Sequence, residues 1–353
     1  MAGIDLQLQD INLTSLEREP IHICGQIQPH GVLFVLEEPD LKILQVSNNT
    51  SAVLGISPEN LLQKKIEEVL DPFQVEKLKI GLSSKNFDFI NPVKIWFRKK
   101  GDDYLVFDGV FHRNSDGFLI LELEPAISQE NIPFLSFYHL ARASIGQLQE
   151  ASNLHYFCQI IVQEVRKVTG FDRVMLYKFD DDGHGAVIAE EKLEELEPYL
   201  GLHYPESDIP KPARKLFSSN WIRLIPDTDV QPVELFPADN PASNHPLDLT
   251  FSILRSASPC HIEYLHNMGV GASLTISLIK DQKLWGLIAC HHRTPKYVSY
   301  ELRKACEFLG RVIFSEISLR EESEDYDYRM KLTYIHSMLI GYMSLLEFRL
   351  IAN

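Results

Sequence analysis

Two periods divide the chain. From Val32 the apolar residues come in strand-length runs, Val32–Leu36 and Leu41–Val46, with a polar turn at Glu37–Asp40 and a break at Asn48-Asn49. Ser57-Pro58 and Asp71-Pro72 open short helices, the second running to Ile80, because a small polar residue followed by proline starts a helix. Three further strands are expected at Val93–Arg98, Tyr104–Phe111 and Phe118–Leu123, parted by turn residues at Lys100–Asp103 and Asn114–Gly117. The stretch from Pro125 to Pro133 reads as a linker.

Beyond it the helical period takes over. Helices are expected at Phe134–Glu150 and Leu154–Thr169, the second with Phe157, Ile161, Val165 and Val168 on one face and Gly170 as its stop. A strand pair is expected at Arg173–Phe179 and Ala186–Glu190, and Ser207-Asp208 reads as the cap of a helix entered through Pro210 and Pro212. Pro226 to Pro246 holds five prolines with little periodicity and reads as one long loop, a feature that inside a compact domain is usually functional. Ser258, Pro259 and Gly269 mark the N-cap, first residue and stop of a short helix, followed by strands at Val270–Ile279 and Leu284–His291. From Tyr300 almost to the end the chain reads as one helix of roughly fifty residues, on the order of 75 Å at about 1.5 Å per residue. The acidic run Glu321–Asp327 interrupts its apolar stripe, and a lone helix cannot bury such a stripe, which points to a bundle or a dimer. The whole is an α+β chain: an arm at 1–19, a first domain at 20–125, a linker at 126–133, a second domain at 134–319, and the start of a connecting helix at 320–353.

Charge removes whole classes of function. The 353 residues carry 34 basic and 49 acidic side chains, a net charge of −15, which argues against a nucleic-acid footprint. No apolar run reaches membrane-span length, and the N-terminus lacks the basic stretch of a signal peptide. Five scattered cysteines without metal-ligand spacing fit a reduced, cytoplasmic protein.

One cysteine is placed for chemistry. Cys260 falls in the first turn of the short helix, where free backbone N–H groups and the helix dipole favour a thiolate. His261 adjoins it, and Tyr264 lies one turn on along the same face. By themselves these residues fit a small buried cysteine equally well. The surrounding motifs change that balance: Tyr-Pro-Glu-Ser-Asp-Ile-Pro (Tyr204–Pro210), Leu-Arg-Ser (Leu254–Ser256), Ser-Pro-Cys-His (Ser258–His261) and Trp-Gly-Leu-Ile-Ala-Cys-His-His (Trp285–His292) stand in this order. As a set they resemble the bilin-binding region of phytochromes, most closely the cyanobacterial ones, over about Glu17 to Leu319.

The resemblance implies a PAS domain followed by a GAF domain, with the N-terminal arm threaded through the proline-rich loop as a lasso, a figure-of-eight knot. It implies a linear tetrapyrrole, phycocyanobilin with biliverdin as the alternative, held on Cys260 as a thioether. Arg223 and Arg255 take the propionate positions, for which a bidentate guanidinium is suited. Ser273 and Thr275, alternating with Leu274 and Ile276 along one strand, add hydroxyls. Asp208, with Ile209 beside it, offers a backbone carbonyl to the pyrrole N–H groups. His261 lies over the chromophore, His291 bonds the ring D carbonyl, and Tyr177, Tyr204 and Tyr264 box ring D. Taken singly, each has a plainer reading: surface arginines, an N-cap aspartate, a solvated strand face, structural histidines, core tyrosines. Biliverdin-binding bacterial relatives carry their anchor cysteine just before a Glu-Arg-Glu-Pro-like run. Here that run is Glu17–Pro20 and Leu16 precedes it, so Cys260 is the expected anchor and Cys24 the second choice.

The expected function is a red/far-red photoreceptor module, homodimeric, that signals through the long helix and is no enzyme beyond attaching its own bilin. The resemblance also implies a third domain, a histidine kinase and its response regulator in the full-length receptor. Without the third domain's cover, a short-lived, incomplete photoproduct is expected. Two other readings stay open on the residues. A GAF domain binding a cyclic nucleotide leaves Arg223, Arg255 and Cys260 without a joint role. A thiol enzyme would use Cys260 with His261, but neighbours on a helix point about 100° apart.

Overall fold

The computed structural model describes residues 20–82, 87, 90–98, 104–126, 153–180, 182–280 and 283–351. The expected arm at 1–19, nearly all of the linker and the helix expected at 134–150 lie outside these residues. The first half holds β1 (Gln26–Ile27), β2 (Val32–Glu37), β3 (Lys42–Ser47), the helices α1 (Thr50–Leu54), α2 (Pro58–Leu61) and α3 (Pro72–Leu82), then β4 (Val93–Arg98), β5 (Tyr104–Arg113) and β6 (Leu119–Pro125). The second holds α4 (Leu154–Thr169), β7 (Arg173–Phe179), β8 (Gly185–Lys192), β9 (His203–Tyr204), α5 (Lys211–Ser219), β10 (Ile222–Ile225), β11 (Val233–Phe236), α6 (Pro259–Asn267), β12 (Ala272–Lys280), β13 (Lys283–His292) and α7 (Tyr300–Ile351).

The sheet of the second domain runs β10-β12-β13-β7-β8-β9. Leu274, Ile276 and Leu278 of β12 are fully buried among Phe157, Ile161 and Val165 of α4 and Leu302, Cys306, Leu309 and Ile313 of α7. Both helices therefore cover one face. Because side chains alternate along a strand, Ser273 and Thr275 turn to the other face.

The sheet of the first domain is larger than the five strands expected, in the order β1-β11-β3-β2-β6-β5-β4. Two strands are added: β1 in the N-terminal segment, and β11, which comes from the proline-rich stretch read as a loop. The strand β11 pairs with β3 through Leu235 and Phe236, and with β1 through Val233 and Glu234. A four-residue strand that finds its partners in another domain carries no period of its own. Residues 22–28 are thereby held between two limbs of one loop. On one side is β11; on the other, Leu249, Leu254 and Ser256 hydrogen-bond to the backbone of His22, Gln28 and Gln26. Threading through a lasso requires contacts of this kind on both sides.

The helix α7 runs unbroken for 52 residues. Its inner face is buried as far as Ile317, beyond which Leu319, Tyr326, Met330, Tyr334 and Ile335 are exposed. It crosses β12 at Gly310, where an added Cβ would stand 2.7 Å from the Ile276 Cγ2 methyl. Gly310→Ala would gain roughly 1 kcal/mol of helix propensity, but overpacking a stiff, fully buried isoleucine costs about 1–3 kcal/mol. A net loss of about 1 kcal/mol is expected, read as a lower thermal midpoint by circular dichroism. An unchanged or raised midpoint would show that the helix slides to relieve the contact.

Candidate functional site

The free face of the second sheet floors a cavity of about 390 Å³, within the range of small-molecule sites. Its walls come from β7, β12 and β13, from the Tyr204–Phe217 segment, from Arg223, and from Arg255 to Met268; Ile21 closes it from the N-terminal side. Cys260, Asp208, Ile209, His261, His291, Arg223, Arg255, Tyr177, Tyr204, Tyr264, Ser273 and Thr275 all line this one cavity.

The anchor helix forms as its local sequence dictates. The Ser258 hydroxyl accepts from the His261 N–H at 3.3 Å, and Pro259 occupies the first turn. Gly269 ends the helix at φ 68°, a left-handed conformation that glycine adopts without strain. Leu265 is buried with Ile225 and Val270 and pins the helix to the sheet. Cys260 is half-buried on the cavity side, and the His261 and Tyr264 rings stack near-parallel at 6.5 Å.

Arg223 on β10 and Arg255 present two guanidinium groups to the cavity. Among the described residues their hydrogen-bond partners are carbonyls: Arg223 donates to Ile253 and Arg255, and Arg255 to Leu249 and Thr250. No carboxylate of the described residues lies within ion-pair distance of either. Burial, helped by the neighbouring Arg255, brings Arg223 down to about 9, and burial lowers Arg255 as well. Two cations in one desolvated corner with only carbonyl partners would be stabilised by an anionic ligand. Thr275 lies directly across from Arg223 in the sheet, and Ser273 across from His291, which brings hydroxyls beside the cationic corner.

The tyrosines make an aromatic wall. Tyr177 on β7 meets Tyr204 with ring centroids 5.9 Å apart. Gly185 on β8 makes room, since a Cβ there would come within 2.4 Å of the Tyr177 ring. Burial pushes the Tyr177 hydroxyl up to about 12 and raises Tyr204 and Tyr264. Asp208 corrects one expectation, because it does not cap α5. It sits in a separate single turn, Glu206–Asp208, and the N-cap of α5 is Pro210, with no side-chain cap bond. A proline at each of positions 210 and 212 moves the helix start downstream. The Asp208 carboxyl is left on the cavity wall, and burial raises its pKa above the ordinary value. Arg214, which motif reading passed over, holds this turn. Its Nε donates to the Ile209 carbonyl at 2.6 Å, and a terminal nitrogen donates to the carbonyls of Glu206 and Gly183. The only sequence signal for it was an arginine one turn after Pro210.

The two histidines are held neutral. Burial, then Arg173 and His261, depress His291 to about 3. His261 is exposed at the mouth of the cavity, and its imidazole is lowered by its protein surroundings and by Arg223. Buried Nδ1 of His291 has no hydrogen-bond partner. A neutral imidazole with an unpaired nitrogen can serve a ligand as donor or acceptor, according to its tautomer. Cys24 is not on the cavity wall: its thiol donates to the Gln26 carbonyl at 3.3 Å and accepts from the Ser256 hydroxyl at 3.4 Å. Among the described residues no cluster of His, Cys, Asp and Glu could hold a metal ion, and no helix is long and apolar enough to cross a membrane.

Residues 16–126 match the PAS fold and residues 153–320 the GAF domain, so the class is a PAS–GAF protein with a ligand cavity on the GAF sheet. The chain is 76% identical to cyanobacterial phytochrome A of Nostoc sp. over 97% of its length, and 39% identical to the bacteriophytochrome of Pseudomonas aeruginosa over 88%. It is 51% identical to the wild-type chromophore-binding domain of a Stigmatella aurantiaca phytochrome, with a TM-score of 0.80, covering 85% of this chain and 98% of that one. The chain belongs to the phytochrome family. It spans 45% of the length of the Nostoc relative and 42% of the Pseudomonas one.

The depressed histidines give a pH signature in protein prepared without ligand. The folded value of His291, about 3, lies below the unfolded value of about 6.5. The unfolded chain therefore binds the extra proton, and stability that is complete above about pH 6.5 declines as the pH falls through this window. His291→Asn should flatten the acid loss in a pH series of urea midpoints. An unaltered pH slope would remove His291 as its source.

Proposed function

We propose that this chain is the light-sensing part of a red/far-red receptor, holding a linear tetrapyrrole with Cys260 as the covalent anchor and phycocyanobilin as the pigment in preference to biliverdin. The observation that carries this reading is one cavity in which two acid-free guanidinium groups, a first-turn cysteine and a tyrosine wall converge. The tetrapyrrole supplies the conjugated system that absorbs red light and isomerises at its ring D double bond.

The chain's own residues do the rest. Arg223 and Arg255 bind the propionates, with Ser273 and Thr275 adding hydroxyls. Cys260 supplies the thiol for a thioether at ring A, an addition that needs neither oxidant nor leaving group. The Asp208 carbonyl and His261 keep protons on the pyrrole nitrogens, and the His291 ring N–H donates to the ring D carbonyl. Tyr177, Tyr204 and Tyr264 bound the space in which ring D turns, beside Ile209. Lys178, next to Tyr177, donates to Glu321 of α7 at 2.7 Å, and Trp285 donates to the same carboxylate at 3.1 Å, which ties the sheet to the signalling helix. The exposed apolar stripe of α7 suits a homodimer, five cysteines outside any disulfide suit the cytoplasm, and the output runs to a histidine kinase and its response regulator in the longer receptor.

Two measurements test the assignment. Protein made in bilin-producing cells should be blue-green, with zinc-enhanced fluorescence that survives a denaturing gel. Cys260→Ser should keep the pigment in the folded protein but lose the fluorescent band; a band that stays bright would move the anchor to another cysteine. Asp208→Ala, which removes the carboxylate on the cavity wall but keeps the backbone carbonyl, and His261→Ala should each lower the pH at which the red absorption bleaches, because a negative charge or a hydrogen-bonding ring that favours the cationic pigment is lost. Titration curves identical to the parent in both variants would reject these roles.

A further inference from the structure

One acidic side chain of the first domain reaches the strap that carries the cationic corner. Glu122 lies on β6, where its neighbours Leu121 and Leu123 turn into the PAS core. Strand alternation sends Glu122 out of the opposite face, toward the 249–256 strap of the GAF domain. It is fully buried there. One carboxylate oxygen accepts from the Ser252 hydroxyl and from the Leu254 N–H at 2.7 Å; the other accepts from the Ile253 N–H at 2.9 Å.

This strap is the mount of both arginines. Arg255 is part of it and folds back onto its Leu249 and Thr250 carbonyls, while Arg223 donates to its Ile253 and Arg255 carbonyls. Gln28 holds the strap from the N-terminal segment: its backbone N–H donates to Leu254 at 2.7 Å and its side chain to Leu224, behind Arg223, at 3.0 Å. Glu122 thus fixes three consecutive residues of the strap from behind. Burial raises its carboxyl to about 7, while the Ser252, Leu254 and Ile253 donors favour the carboxylate form. It touches neither guanidinium, so their hydrogen-bonding edges stay open to the cavity.

We propose that Glu122 is a positioning residue for the anionic end of the ligand: it sets the spacing of Arg223 and Arg255 through the 252–254 backbone. The PAS domain thereby takes part in pigment recognition through a residue that lies outside the cavity. The inference rests on the reading of the two arginines as carboxylate partners.

The test uses Glu122→Gln, which keeps the shape but replaces one acceptor oxygen with a donor that faces donors. Non-covalent affinity is measured in the Cys260→Ser background for phycocyanobilin and for its propionate dimethyl ester, together with amide hydrogen exchange over 252–254 in protein without pigment. The parent should prefer the free acid. Glu122→Gln should weaken the free acid about tenfold and the ester less than about twofold, the scale of a lost charge-assisted contact, and exchange at 252–254 should accelerate. Equal weakening of both pigments, or no weakening, would overturn the positioning role. A parent without preference for the free acid would overturn the arginine reading itself, a different outcome from the first. Should Glu122→Gln fail to fold, Ser252→Ala removes one of the three donors. It should show the same selective loss, about threefold, and an unselective loss would count equally against the proposal.

Discussion

Two guanidinium groups share one desolvated corner without an acid between them, and much of the architecture answers to that fact. Arg255 is buried and Arg223 half-buried, and taking a charge out of water without an opposite charge is costly; desolvation accordingly lowers Arg223 to about 9. Carbonyls of residues 249–255 offset part of that cost, provided their backbone is rigid. The strap has no regular structure of its own to make it so. Rigidity comes from outside: Glu122 on one side, Gln28 on another, and an apolar cluster in which Leu247, Leu249 and Leu254 pack on Leu33, Val35 and Ile120 of the first domain. A PAS sheet that receives β11 from the GAF domain, together with this shared cluster, makes the two domains one framework around the site.

The second constraint is the two-residue period of β12. Leu274, Ile276 and Leu278 belong to the core under α4 and α7, while Ser273 and Thr275 belong to the cavity. A one-residue slip would exchange the two faces, placing hydroxyls under the helices and leucines against the guanidiniums. Core packing and ligand recognition are therefore specified by the same strand register, and neither can drift without the other.

Much of this was legible in the residues, and the exceptions have physical reasons. The Leu154–Thr169 helix and the Val93–Arg98 strand fall where their periods place them, the helix because Asn153 and Gly170 cap both ends. The β11 strand was invisible because four residues among prolines have no period, and their partners lie nearly two hundred positions earlier. Ser207-Asp208 before a proline-led helix gives the local signal of a cap whether or not the cap forms, and here the prolines displaced it. The ordered motifs pointed to the residues that meet in the cavity, although single residue types did not. Tyr177 shows why, since it is both a member of a buried apolar cluster and part of the cavity wall. Arg214 and Glu122 had no sequence signal of their own kind, because what matters about each is a set of acceptors or donors on segments distant in the chain.

The acidic run on α7 also changes meaning once the sheet is in place. It begins at Glu321, one turn beyond Ile317, the last fully buried residue of the helix among those described. Read as a solvated interruption, Glu321 would face water; instead it accepts from Lys178 of β7 and Trp285 of β13. Lys178 follows Tyr177, and successive residues of a strand point to opposite faces. A displacement of the tyrosine wall on the cavity side must therefore reach the Lys178–Glu321 contact on the helix side, because a close-packed sheet has no slack in which to absorb it. In the proposed receptor the point where the apolar stripe breaks off is the point where a change at the chromophore would enter the helix.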